Sequence, residues 1–114
     1  MLKTNEDTKL KRGSIIYINF DPSAETEIQK CRPAAVVNND ILSETLPFAW
    51  VVPISHGTDY PLHVQLDNLT QTNGTVYVEQ LKSFNFHQHK WQFVETMPAD
   101  LFEEIQKKVQ LVIK

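Results

Sequence analysis

A single cysteine, Cys31, leaves no internal disulfide to staple this chain of 114 residues, and no run of 18 or more apolar residues is present to serve as a membrane span. The opening stretch, Met1 to Lys11, is polar and lacks the apolar core of a secretion signal. A cytoplasmic setting is the expectation. Positive charge is also in short supply, with 11 Lys and Arg against 14 Asp and Glu and a formal net charge of -3. This argues against a protein that coats nucleic acid through a broad cationic face, because such binding neutralises many phosphates. It leaves room for an enzyme whose groove needs only a few placed cations. No repeat, low-complexity tract or second composition class appears, and the length suits one core. The organisation expected is a frayed arm over residues 1–10 and a single domain over 11–114.

What is present is a series of short apolar runs separated by turn chemistry. Ser14 to Phe20 alternates Ile16, Ile18 and Phe20 with Ile15, Tyr17 and Asn19, the period of a strand. Asp21-Pro22 ends it, since proline fixes φ and removes a ladder donor. The polar stretch to Lys30 reads as an exposed loop. Further strands are expected at Ala34 to Asn38, Phe48 to Ser55, Leu62 to Leu66, Thr75 to Leu81 and Trp91 to Glu95. Asn73-Gly74 is a strong hairpin signal before the Thr75 run. Pro98 then opens a helix with Leu101, Phe102, Ile105, Val109 and Val112 on one face. Its acidic residues come early and its lysines late, which suits the helix dipole. Short strands with one terminal amphipathic helix predict a mainly β (α+β) fold, a small, strongly bent barrel covered by a helix.

Metal-free cleavage of RNA requires a group to take the 2′-hydroxyl proton, donors for the non-bridging oxygens and a proton for the leaving 5′-oxygen. Arg32 offers a permanently charged fork matched to phosphate oxygens, and its alternative is a surface arginine before the strand set by Pro33. Ser55 ends an apolar strand, where a hydroxyl is rigidly aimed beside an open loop; its alternative is a turn residue before His56-Gly57. Glu27 and Glu79 are candidate proton acceptors or anchors for Arg32, and either is also read as a solvated charge. Gln80 and Lys82 are read either as substrate contacts or as residues that stabilise a strand end. In a strand His87 and His89 would share a face, but no third ligand follows at metal spacing, and surface histidines on a hairpin are the expectation; His56 and His63 carry no assignment. Cys31 beside Arg32 is either a reactive thiol or a small half-buried one. Trp50, Trp91, Phe84 and Phe86 are either base-stacking platforms or core.

Taken in order, Asp21-Pro22, Glu27, Arg32-Pro33-Ala34, Pro53-Ile54-Ser55 and Glu79-Gln80-Leu81-Lys82-Ser83 resemble the MazF/PemK family of toxin endoribonucleases. The resemblance runs from Lys11 to Lys114. It implies the SH3-like barrel of CcdB/MazF type and a metal-independent, sequence-selective endoribonuclease of a type II toxin–antitoxin system. Such an enzyme cleaves single-stranded RNA by 2′-OH attack, leaving a 2′,3′-cyclic phosphate and a 5′-OH. Arg32, Ser55, Glu27 and Glu79 would then be catalytic, and Gln80, Lys82 and Lys30 would bind RNA. The family uses no cofactor or metal. Its members are homodimers without membrane attachment, silenced by a cognate antitoxin whose flexible tail blocks the groove, and the toxin–antitoxin complex binds DNA. This chain departs from the family at Ser55, where threonine is usual, and at the bulkier, charged Glu25 and Lys30. A non-catalytic relative of the same fold, acting on a protein as the gyrase-poisoning toxins do, is the alternative, and a degenerate RNA binder is a third.

Overall fold

The strands of this protein pair around a long third strand that serves three neighbours. In the computed structural model, residues 10–19, 31–57 and 60–113 are described, so residues 1–9 of the expected arm and the loop carrying Glu27 and Lys30 lie outside the described residues. The elements are β1 (Ser14–Asn19), β2 (Cys31–Val36), α1 (Asp40–Thr45), β3 (Phe48–Ser55), β4 (His63–Gln65) and β5 (Thr75–Tyr77), then a 3-10 turn (Val78–Gln80), β6 (Lys82–Asn85), β7 (Trp91–Thr96) and α2 (Ala99–Ile113). All strand pairs are antiparallel, in the order β4-β5-β3-β2-β1-β7, with β6 also on β3. The small bent β fold with a terminal helix is as the sequence predicts. Its outer strands β4 and β7 do not pair with each other, so the sheet curls without closing its hydrogen bonding into a full barrel.

The curl follows from burial on both faces. Ile15, Ala35, Val52, Ile54 and Val76 pack on one side with Leu101, Ile105 and Val109 of α2. Ile16, Ile18, Val36 and Val51 pack on the other, where Phe84 and Trp91 cover them. A flat sheet in a chain this short has no second layer for that face, so β6 and β7 must fold over it. Trp91 and Phe84 are therefore core, while Trp50 stays 43% exposed. Helix α2 buries Leu101, Ile105 and Val109, and Phe102 packs at its margin; the stripe outlasts the core, leaving Val112 exposed. Pro98 sits just before the helix, its carbonyl accepting the Phe102 N–H at 3.0 Å.

Three expectations are corrected, and one element is added. The second strand begins at Cys31 rather than Ala34, because β1 pairs with it from Asn19↔Cys31 onward, and so Arg32 lies within a strand. The Thr75 to Leu81 run is not one strand: β5 pairs with Ile54 and Ser55, β6 pairs with Phe48 to Val51, and the 3-10 turn shifts the chain between these two halves of β3. Asn73-Gly74 does not form a two-residue hairpin. The tight turn falls at Asp67-Asn68, whose φ values of 47° and 66° and the Leu69 N–H to Leu66 carbonyl bond of 2.8 Å define a type I′ geometry. Helix α1 was not anticipated; Asn39 caps it by accepting the Ile41 N–H at 2.9 Å.

Candidate active site

The antiparallel register of β2 and β3 brings the leading pair of candidate residues together. Ala34 pairs with Pro53, and continuing that register two residues past the end of the ladder puts Arg32 level with Ser55, on the face that Ala34 and Pro53 share. The ladder itself stops at Ala34, next to Pro33, which has no N–H to give. Arg32 also pairs with Ile18 in β1, so its backbone is held inside the sheet while its side chain is exposed. The guanidinium donates to the Cys31 carbonyl at 3.1 Å. Burial pushes the Cys31 thiol up, outweighing the opposing pull of the adjacent Arg32 charge, which fits the bland reading of this cysteine rather than a thiolate nucleophile.

Ser55 is exposed at the end of β3, where it pairs with Thr75. Its backbone is locked from two sides. A Cβ on Gly74, which has φ +131°, would come within 2.9 Å of the Ser55 carbonyl oxygen, so only glycine lets the incoming strand lie this close. Tyr77 Oη donates to the His56 carbonyl at 3.1 Å, holding the residue that follows.

Lys82, exposed at the start of β6, pairs with Val51, four residues back along β3 from Ser55. At ~3.3 Å per residue the two are separated by about 13 Å along the strand, roughly two nucleotides of an extended backbone. Gln80 is exposed on the 3-10 turn between them. Glu79, on the same turn, is tied to His63: the imidazole Nε2 donates to Glu79 Oε2 at 3.0 Å. Glu27 and Lys30 fall outside the described residues. His89 Nδ1 lies 3.2 Å from the Asn19 carbonyl, and among the described residues no three His, Cys, Asp or Glu side chains gather around one point.

Comparison with known proteins matches this arrangement to one family. The model for the PemK-like, MazF-like toxin of type II toxin–antitoxin systems covers residues 11–113. The chain belongs to this family. The endoribonuclease toxin ChpB of Escherichia coli strain K12 is 26% identical over 123 aligned residues, covering all of both chains. The endoribonuclease PemK of Escherichia coli is 23% identical over 91% of this chain and 82% of that protein. Among solved structures, MazE–MazF from Deinococcus radiodurans superimposes with a TM-score of 0.79 at 19% identity, covering 94% of this chain and 97% of that one. A mycobacterial endoribonuclease solved with its cognate antitoxin gives 0.76 at 10% identity over 92% and 95% of the two chains. At these identities the structures show that the fold is shared.

Within this toxin-family fold, one residue that sequence reasoning left unassigned, His63, proves to be well placed. It is 4% exposed and lies in β4 opposite Tyr77, with ring centroids 4.2 Å apart; the Tyr60 ring meets it edge-on at 5.0 Å. Lys108 of α2 donates to the His63 carbonyl at 3.0 Å. The sequence signal for this cluster was a histidine between Leu62 and Val64, and its partner Glu79 is 16 residues away. The His63 hydrogen bond holds the Glu79 carboxyl below its ordinary value. A carboxyl lowered on folding stabilises the fold at pH above its unfolded pKa, and that contribution is lost as pH falls through the folded value. His63→Phe keeps the ring packing and removes the donor. Glu79 should then titrate at higher pH in side-chain NMR, and an unchanged titration would show that His63 does not hold it.

Proposed function

We propose that the chain, as one functional domain over 11–114, is a metal-independent, sequence-selective endoribonuclease that cuts single-stranded RNA. In this reading the 2′-hydroxyl attacks the adjacent phosphorus, giving a 2′,3′-cyclic phosphate and a 5′-OH. The observation that carries it is the antiparallel pairing of β2 and β3, whose register, continued past Ala34 and Pro53, puts Arg32 and Ser55 level at the rim of the sheet. A guanidinium fork and a hydroxyl converging from neighbouring strands supply donors for both non-bridging oxygens as charge builds on them. Two rigid strands fix that geometry before substrate arrives. The endoribonuclease names of ChpB and PemK support the same chemistry.

Glu79 suits a fixed charge better than a proton acceptor, because a carboxyl held low is a weak base. The role of accepting the 2′-hydroxyl proton falls to Glu27. Lys82, Gln80 and Lys30 bind the RNA strand. We assign the active form as a homodimer whose partner in the cell is a cognate antitoxin, in keeping with the antitoxin complexes of the structural relatives.

Incubating the purified protein with long single-stranded RNA in excess EDTA and mapping the new 5′ ends tests this reading. Recurrent cuts within a short shared sequence are expected. Intact RNA alongside inhibited DNA supercoiling would replace it with the gyrase-directed alternative. A further expectation concerns the antitoxin: a peptide from its tail should compete with RNA, and its affinity should fall as salt is raised, because screening weakens attraction to Arg32 and Lys82. Simultaneous binding of peptide and RNA at full affinity would rule out inhibition by groove occupation.

A further inference from the structure

The turn that carries Gln80 has little to hold it by itself. It spans Val78–Gln80 and closes on the backbone bond from the Leu81 N–H to the Val78 carbonyl at 3.2 Å. A 3-10 segment this short contributes little stability of its own, and Tyr77 at its start supplies no side-chain cap. Its conformation therefore depends on where its side chains are anchored. Val78 is fully buried in the core that α2 covers, and Gln80 faces solvent. Glu79, between them, is gripped from β4.

The grip is the His63 hydrogen bond to Glu79 Oε2, given from a ring that its neighbours hold still. Tyr77 packs against the imidazole with planes tilted by 42°, and Tyr60 meets it edge-on. Lys108, itself 3.7 Å from Glu104, bonds the His63 carbonyl and so pins this part of β4 to α2. The Tyr77 ring is fixed in turn. Its Oη donates to the His56 carbonyl, and a Cβ on Gly57 would land on that oxygen, so only glycine leaves it room. Glu79 and His63 also border an open cleft of about 400 Å³, lined further by Tyr60, Pro61 and Leu62. Without its donor, the Glu79 side chain has space to rotate away, and the turn loses an anchor.

We propose that His63 is a positioning residue for RNA binding: it fixes Glu79, and through Glu79 the turn that presents Gln80 and leads into Lys82. The proposal rests on the endoribonuclease reading above, in which Gln80 and Lys82 bind the strand while Arg32 and Ser55 act on the phosphate. His63 is buried, so it acts on RNA through Glu79 without touching it. Its effect falls on binding rather than on bond breaking, because Arg32 and Ser55 are held by their own pairing, with β1 and with β5. A hydrogen bond to an ionised carboxylate is worth about tenfold or more in an equilibrium constant.

The test is steady-state cleavage of a short RNA with one cut site by the wild type, His63→Phe and His63→Gln, with circular dichroism to verify folding. Phenylalanine keeps a ring between the tyrosines and removes the donor. Glutamine gives up the ring, but its amide nitrogen reaches the place of Nε2 and donates to Glu79. His63→Phe should raise KM about tenfold with kcat within a few-fold of the wild type, and His63→Gln should recover most of that loss. Glu79→Ala, at an exposed position that the fold tolerates, breaks the same contact from the other side. It should raise KM at least as much, with His63→Phe adding nothing further in the double variant. An unchanged KM in folded His63→Phe would overturn the proposal, and so would a glutamine variant no better than phenylalanine or additive losses in the double variant. A fall in kcat with KM unmoved would mean a structural role and would overturn it as well. If the wild type cuts no RNA at all, the endoribonuclease reading fails and the positioning role falls with it; if it cuts and only the His63 variants depart from expectation, the positioning role alone fails.

Discussion

Arg32→Ala should lower RNA cleavage by about 10²–10³ while leaving the fold intact, since removing one preorganised donor to developing negative charge costs on that order. The structure sharpens this expectation. Arg32 lies in β2 with its backbone paired to Ile18, so alanine at this position keeps the ladder, and the exposed side chain contributes little to either core. Arg32→Lys should recover only part of the rate, because an ammonium keeps the charge but lacks the bidentate fork. The readout is single-turnover cleavage of a short RNA with circular dichroism to verify folding. Near-normal cleavage by folded Arg32→Ala would remove this residue from the site.

The second large effect belongs to Ser55. In the proposed mechanism its hydroxyl donates to the same phosphate from β3, so Ser55→Ala should lose at least tenfold in rate, at the scale of a single lost donor in a reacting site. Ser55→Thr should cleave at least as well as the wild type, because the added methyl restricts the rotamer and leaves the donor in place. Ser55 is exposed and ends its strand, so neither change disturbs the core. Equal loss in both variants, with folding retained, would show that the hydroxyl is not the group that matters.

How much of the site could be read from the chain depends on how local each feature is. The third strand was expected at Phe48 to Ser55 and spans those residues, and the helix begins just after Pro98. Periodicity, proline and charge placement act within a few residues, so they survive any tertiary arrangement. Arg32 and Ser55 were singled out by chemistry and by resemblance to a family. That they fall level with each other follows from continuing the β2–β3 register past Ala34, which neither segment encodes alone. Glu79 was read as a site carboxylate, yet its hydrogen-bond partner is a buried histidine from β4, a pairing that depends on β5 folding back onto that strand.

The sequence by itself determined the mainly β class, the terminal helix and the residue types available for phosphate chemistry, because strand period, turn residues and helix amphipathicity are properties of neighbours along the chain. Tertiary structure decided which faces are buried, where one expected strand divides in two, and which side chains meet. Ile15 and Ile16 both enter cores because the sheet curls over itself, and the stretch after Thr75 breaks because a single β3 must pair with both β5 and β6. The type I′ turn at Asp67-Asn68, in place of one at Asn73-Gly74, has the same origin: Gly74 is needed where the backbone passes the Ser55 carbonyl, and the chain turns elsewhere. Such outcomes rest on contacts between residues far apart in sequence, and only the folded chain brings them together.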